Sequence, residues 1–428
     1  MELDTDQLGV INSAAEGRTM FVTGPAGTGK STVLKELRKV LRGRMDVVAS
    51  TGIAAVNVGG MTLHSWLGIG LGEGSAALLA HSVKRNRPEA RDRIQGCKTL
   101  CIDEVSMCSG HFLDKVEEVL RRVRGSQEPF GGIQVIMWGD FLQLPPVGKR
   151  ERPPFAFEST AWANARVEFR ELKKMHRQGE DLEFAEALND IRMGQITQKV
   201  SDLLNSRYLK DDLDLDKEPI VIHTHNADVD QINRKRLAEI DAEEREFVSR
   251  DDGAPAQVKM LDKHCLAPSL LRLKVGAVVM LLANVDVHAG LANGSMGVVT
   301  GYTQIEKRTV PVVKFYNGCE TPITRHAWEI KEGDVVIAER RQIPLRLAWA
   351  VTAHKSQGCT FDKARVHLGR VFEDGQAYVA LSRVRTLGGL YIMSGKKANI
   401  HASQRAVEFY ESGGAAGVPQ PTTEGLLI

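Results

Sequence analysis

The sequence predicts an α/β protein of two parallel-sheet blocks in tandem, the first carrying a small insertion and the second interrupted by a β-rich one. Three observations lead there. From Arg18 to about Val147, apolar runs alternate with helical patterns, which is the mark of a parallel sheet covered by helices. The alternation restarts near Pro219. At 428 residues the chain is long enough for several cores.

In the first block the strand-like runs are RTMFV, DVVAS, TLCID and IQVIMWGD. The insertion, 58–92, is Gly-rich and then basic, and rides on this block. In the second block PIVIHTH reads as a strand and NADVDQINRKRLAEI as a helix; ARVHLG, an amphipathic GQAYVALSRV and GLYIMS follow later. Between them KVGAVVMLLAN, GSMGVVTGY, VPVVKFY and DVVIAERRQI are β-rich and parted by Gly or Asn turns, the texture of a small barrel. The resulting division is 1–165 for the first block, 166–241 with 343–411 for the second, 242–342 for the barrel and 412–428 for a linker-like, disordered tail.

A formal net charge of +2 argues against a polybasic binder and leaves room for a local basic groove. No apolar run reaches membrane-spanning length, and MELDTDQLGV has neither the basic start nor the apolar core of a secretory leader. An intracellular, cytoplasmic and nucleoid-associated protein is the expectation. Cys97, Cys101 and Cys108 cluster near one acidic strand but lack a close pair and a fourth ligand, so buried reduced thiols are favoured over a metal site.

The chemistry starts at VTGPAGTGKST, Val22 to Thr32, a P-loop pattern between a strand and a helix. Backbone amides from Gly24, Ala26, Gly27, Thr28 and Gly29 would cradle phosphates, Lys30 would reach the β and γ oxygens, and Ser31, followed by Thr32, would hold Mg²⁺. TLCIDEVSM puts Asp103 and Glu104 at the end of a strand where such a sheet binds its ligand. Asp103 would hold the metal and Glu104 would polarise the attacking water. Gln143, in GDFLQLPP, would sense the γ-phosphate or merely cap a turn. Arg177 and Arg383 lie outside the first block; each is either a surface charge or a group that stabilises the transferring phosphoryl across a cleft.

Thr51, Ser65, Thr352 and Ser356 are short hydroxyl residues near expected strand ends, suited to backbone phosphates. His64, Trp66 and His354 offer flat faces for bases, against core packing for Trp66 and a satisfied buried imidazole for His354. AHKSQG, ending at Gly358, is a nucleotide or nucleic-acid contact or an ordinary turn.

Ordered motifs from about Leu3 to Ile400 resemble the Pif-type DNA helicases of superfamily 1B: LDTDQ, GPAGTGKST, ASTGIAA, GGMTLHSWLGIG, CIDEVSM, WGDFLQLPPV, MHRQGEDLEFAEALNDIRMG, HTHNADVDQIN, LAWAVTAHKSQGCTFD and YVALSRVRT. The resemblance implies two tandem RecA-like P-loop NTPase domains, an SH3-like β-barrel in the second, ATP with Mg²⁺, and 5′ to 3′ movement on single-stranded DNA and at junctions with duplex; a monomer in solution is the expectation. It implies that Gln7 reads adenine, that Gln143 couples the γ-phosphate to DNA, and that Arg177 and Arg383 are arginine fingers. It also implies strand contacts from Thr51, His64, Ser65, Asn226, Thr352, His354 and Lys355. The stretch from Met175 to Gly194 matches the family's signature segment. A long N-terminal extension and a further C-terminal domain, present in larger members, are not expected here.

The Gly-rich insertion after Thr62 is either the wedge that splits duplex or a solvated loop. Among rival readings, a GTPase-type switch needs a guanine-reading Asn-Lys-x-Asp segment, which the chain lacks, and a metabolite kinase leaves the second block idle. A motor subunit of a recombination nuclease stays open.

Overall fold

The computed structural model describes residues 3–419 except 52–53, 56–57, 71, 147, 149–151, 176–180, 209–218, 266, 287–288, 290, 292, 333–334, 358 and 396–398. The first block is a six-stranded parallel sheet of β1 (Met20–Thr23), β2 (Met45–Ala49), β3 (Met61–Thr62), β4 (Thr99–Asp103), β5 (Gln134–Trp138) and β6 (Glu168–Glu171), in the order β3-β2-β4-β5-β1-β6. All its pairings are parallel. The four long apolar runs of the sequence are its middle strands. Their burial explains why they read as unbroken apolar stretches: β1 is buried along its whole length, as strands covered by helices on both faces must be.

Helix α1 (Thr5–Ala15) starts from a capping box in which the Asp4 carboxylate accepts from the Gln7 amide and the Gln7 side chain accepts from the Asp4 amide. Helix α2 (Lys30–Val40) follows the loop after β1. The insertion is helical, as Leu63–Leu67, Ala76–Asn86 and Pro88–Gly96. Its Leu63, Trp66, Val83 and Ile94 enter the core of the first block. The helices of the insertion are therefore packed, while Gly70, Glu73 and Gly74 of its Gly-rich stretch are exposed.

The second block is a four-stranded parallel sheet of β7 (Ile220–His223), β8 (Ala350–Thr352), β9 (Ala364–His367) and β10 (Leu390–Ser394), in the order β8-β7-β9-β10. Helices α3 (Leu182–Arg192), α4 (Asn226–Glu239) and α5 (Gln376–Leu381) belong to it. The β-rich insertion holds a five-stranded antiparallel sheet whose last strand, Leu345–Leu347, pairs with Val278–Leu281. Its core includes Val279, Leu281, Val299, Val313 and Phe315. Beside it the buried Arg340 is held by Asp251 and Asp262, both at 2.6 Å.

Three boundaries move relative to the sequence reading. Strand β6 pairs with β1 and so extends the first sheet past residue 165. The β insertion closes with 345–347, past residue 342. Helix α6 (Gln404–Glu411), which the sequence reading placed in the second block, sends Phe409 into the first. Its ring stacks 4.1 Å from Phe157 and stands edge-on to Phe141 and Trp162. The periodicity of α6 shows that it buries a stripe, but not against what. Burying such a ring is worth about 1.5–3 kcal/mol, so α6 is fastened to the first block. Beyond it the start of the expected disordered tail is packed: a side chain on Gly414 would strike Phe169, and Val418 rests on the same core. Residues 420–428 of that tail lie outside the described residues.

Candidate active site and strand-binding edge

Strand β1 delivers the chain to a loop that turns into α2 at Lys30. The turn needs Gly24: at φ 143° its Cα lies so close to β6's exit that a Cβ would come 2.3 Å from the Leu172 carbonyl oxygen. The Lys30 ammonium donates to the carbonyls of Gly24 at 2.6 Å and Pro25 at 3.1 Å. The amides and the helix start give the loop its affinity for anions. Residues 26–32, with Glu104, Gln143 and Arg383, line a cleft of ≈ 370 Å³. Gln7 is buried beside this loop, its amide nitrogen donating to the Thr28 carbonyl at 3.3 Å.

Asp103 ends β4, and Glu104 follows in the left-handed region at φ 52°. Such a conformation in a non-glycine residue costs about 1–3 kcal/mol and gathers at functional sites. The Ser50 hydroxyl holds it by donating to the Glu104 carbonyl at 2.7 Å. Burial raises the pKa of both carboxyls; for Glu104 the charge of Asp103 adds to it, while Lys30 opposes the rise in both. Two carboxyls pushed upward in this way, with a serine hydroxyl at the start of α2 on the cleft wall, are a donor set suited to a divalent cation. Ser31 and Asp103 are the residues that would hold it. Among the described residues no group of three or more His, Cys, Asp or Glu could bind a metal alone. The three clustered cysteines are buried, and burial pushes Cys97, Cys101 and Cys108 each up to about 12.

The second block reaches the same cleft. Arg383, two residues past the end of α5, is 2% exposed. Its guanidinium donates to the Val379 carbonyl at 2.8 Å, the Ser382 hydroxyl at 2.9 Å and the Cys359 carbonyl at 3.5 Å. Burial lowers its pKa, with Tyr378, Cys359 and Glu104 opposing. Within the described residues it has no carboxylate in salt-bridge contact. Tyr378, on α5, accepts the Ala26 amide of the loop at 2.9 Å. The other predicted finger, Arg177, and Gly358 lie outside the described residues.

Three further polar residues join the blocks, and the sequence reading passed over all of them. Gln357 donates from its amide to the Glu104 carboxylate at 3.0 Å and lies 3.5 Å from the Gln143 side-chain oxygen. Asp140, fully buried, receives two hydrogen bonds from Arg192 at the end of α3, at 2.9 and 3.0 Å. The Tyr410 phenol donates to the same carboxylate at 3.1 Å, and the Arg192 guanidinium lies 4.6 Å over the Tyr410 ring. Gln143 hangs from this hub, its amide 3.4 Å from Asp140. The segment from Met175 to Gly194 contains Arg192, which was the one available signal.

The expected strand contacts sit at the C-terminal ends of parallel strands, yet several are already occupied. The Thr51 hydroxyl accepts from the Ala54 amide, and the Ser65 hydroxyl from Thr62. His64 stacks on Phe112 at 4.3 Å. Trp66 is 1% exposed with its indole donating to Asp46, so core packing is its role. Thr352 is buried and accepts from the Lys355 amide; it shapes the turn at His354–Ser356 in place of touching a strand. Ser356 is buried too and donates to Ala353, which removes it as a phosphate donor. Asn226 is exposed at the first turn of α4. His354 is part-exposed, 3.0 Å from Glu373. Burial lowers the pKa of Lys355, and so does nearby Arg346.

Comparison with known proteins agrees with this geometry. The family model described as "PIF1-like helicase" matches residues 2–202, and "DNA helicase Pif1, 2B domain" matches 258–302, inside the β insertion. The "ATP-dependent DNA helicase PIF1" of Xenopus laevis is 40% identical over 416 residues, 96% of this chain and 64% of that protein; the Homo sapiens protein of the same name is 40% identical over 415 residues, 96% and 63%. The chain thus spans about 64% of the length of the curated relatives it matches. The crystal structure of the Pif1 helicase from Candida albicans aligns with TM-score 0.84 at 35% identity, over 96% of this chain and 99% of that one. A Bacteroides Pif1 structure in complex with ADP-AlF3 and ssDNA aligns with TM-score 0.71 at 35% identity, over 96% and 97%. The two parallel-sheet blocks are RecA-like lobes.

Proposed function

The chain belongs to the PIF1-like helicase family, and on that premise we propose that it is an ATP-driven motor that moves 5′ to 3′ on single-stranded DNA and unwinds duplex or structured DNA. One observation carries the reading: Arg383 of the second lobe lines the same cleft as the phosphate loop of the first. A triphosphate held there would be clasped from both sides. Mg²⁺ held by Ser31 and Asp103 would neutralise phosphate charge. Lys30 would exchange its two loop carbonyls for the β and γ oxygens, Glu104 would orient the attacking water, and Arg383 would stabilise charge spreading over the γ-phosphoryl group. Gln7 would meet the adenine edge, and Gln143 would register the γ-phosphate.

Because Arg383 and Gln357 come from the second lobe, lobe position controls hydrolysis. Gln357 lies two residues past Lys355 on the same turn, so a strand gripped at His354 and Lys355 would shift the amide that holds Glu104. Grip alternating between Thr51, His64 and Ser65 on one lobe and Asn226, His354 and Lys355 on the other would advance the strand, and the packed insertion would serve as wedge. A base-pair step costs roughly 1.4 kcal/mol of stacking, within reach of one ATP. We place the motor inside the cell, a monomer in solution that acts on single strands and at their junctions with duplex.

ATP turnover with and without single-stranded DNA, followed by unwinding of duplexes bearing a 5′ or a 3′ tail, tests this. Strand-stimulated turnover and unwinding from 5′ tails are expected. Turnover indifferent to DNA would refute the motor, and unwinding from 3′ tails alone would refute the direction.

A further inference from the structure

We propose that Phe372 is a base-stacking platform for single-stranded DNA on the second lobe; the proposal rests on the motor reading above. Its ring is 49% exposed, among the larger apolar exposures of the molecule. It lies 4.9 Å from the ring of His225 and 6.4 Å from that of His354, nearly parallel to the latter at 17°. His225 follows the end of β7, His354 the end of β8 and Phe372 the end of β9. Those three strands are neighbours in the sheet, so three flat rings converge on one edge, beside the exposed start of α4 at Asn226.

The loop that carries the ring is held in place from below. The Phe372 amide donates to the side chain of fully buried Gln376 at 3.2 Å, and Gln376 donates in turn to the Thr224 carbonyl at 3.4 Å. An aromatic on a loop whose backbone is fixed by buried polar contacts costs less further order when a base covers it, and any base offers a π-face. Cations lie on the same edge: Lys355 on the His354 turn and Arg370 on the Phe372 loop, the latter 74% exposed. A phosphodiester chain would therefore find charge beside the stack. Of the other rings the sequence offered, Trp66 is in the core and His64 already has one face on Phe112.

The loop also leads to the nucleotide. Gly375, at φ 73°, is so close to the first lobe that a Cβ would lie 2.3 Å from the Gln143 carbonyl oxygen. Helix α5, which leads to Arg383, begins at the next residue. A base on Phe372 thus bears on the segment that touches both the γ-phosphate sensor and the arginine.

The test is equilibrium binding of a fluorescent single-stranded oligodeoxythymidylate to the full chain without nucleotide, using Phe372→Leu, Phe372→Tyr and Phe372→Trp. Leucine keeps an apolar group of similar size, and melting temperature checks its fold. The expected result is about tenfold or greater weakening for Phe372→Leu, near-native binding for Phe372→Tyr, and quenching of the Phe372→Trp fluorescence on binding. A scan of single abasic positions should find one that weakens the unaltered chain and leaves Phe372→Leu unchanged. Equal affinity of Phe372→Leu and the unaltered chain, with no such position, overturns the platform alone. Failure of the unaltered chain to bind the oligonucleotide overturns the motor reading and the platform with it.

Discussion

Two buried arginines of the second lobe reach the meeting of the lobes, and their surroundings differ in kind. Arg192, 3% exposed, is held by a fully buried carboxylate with two hydrogen bonds and covered by the Tyr410 ring. Arg383, 2% exposed, has two carbonyls and a hydroxyl and no carboxylate bonded to it among the described residues. Their pKa directions agree with this: the charge of Asp140 raises Arg192 against the effect of burial, whereas burial lowers Arg383. Equal burial with unequal pairing separates a group whose charge is already balanced, and which fixes structure, from one whose balance must come from a ligand. The first ties α3 to the loop carrying Gln143; the second lines the cleft.

The contrast predicts opposite losses. Arg383→Ala should lower strand-stimulated ATP turnover by ~10³-fold or more and leave the unfolding midpoint unchanged or slightly higher, because a desolvated, carboxylate-free charge has been removed. Steady-state turnover and urea denaturation on one preparation read both. Arg192→Ala should lower stability by about 3–5 kcal/mol, since Asp140 is left buried and uncompensated; a midpoint equal to that of the unaltered protein would erase the distinction. Arg192→Lys should recover part of this only, a single ammonium being unable to repeat the two-pronged contact. Gln357→Ala, which removes one charge-assisted hydrogen bond to Glu104, should cut stimulation by DNA about tenfold with nucleotide affinity kept, as turnover and fluorescent-nucleotide titrations would read.

Legibility followed chain distance. The phosphate loop and Glu104 sit on strand–loop–helix junctions and meet in the cleft as the spacing suggests, with Asp103 one residue before Glu104 at the end of β4. Arg383 was readable because it fell outside the first lobe in a chain whose loop needed a partner. Asp140 and Gln357 gave no signal of their own and Arg192 only its place in the segment from Met175 to Gly194, since each is a polar residue whose partner lies 52 or 253 positions away. Strand β6 reads EFRE, part-exposed and charged, and β3 has two residues, so neither has an apolar run to betray it. His64 and Trp66 carry rings that the sequence cannot allot to a base, to Phe112 or to the core, because tertiary neighbours decide it. Helix α6 shows the same limit on a larger scale: nothing in its own residues points to Phe141 and Phe157 as its partners.

The central claim is that Arg383 acts on the γ-phosphoryl group in transit and not on the nucleotide at large. Affinity for ADP alone and for ADP with aluminium fluoride, measured by calorimetry on the unaltered chain and on Arg383→Ala in the presence of single-stranded DNA, addresses it directly. The predicted result is an unchanged ADP affinity with a large loss, on the order of 10³-fold, for the aluminium fluoride complex. Equal affinities of the two proteins for both ligands would contradict it.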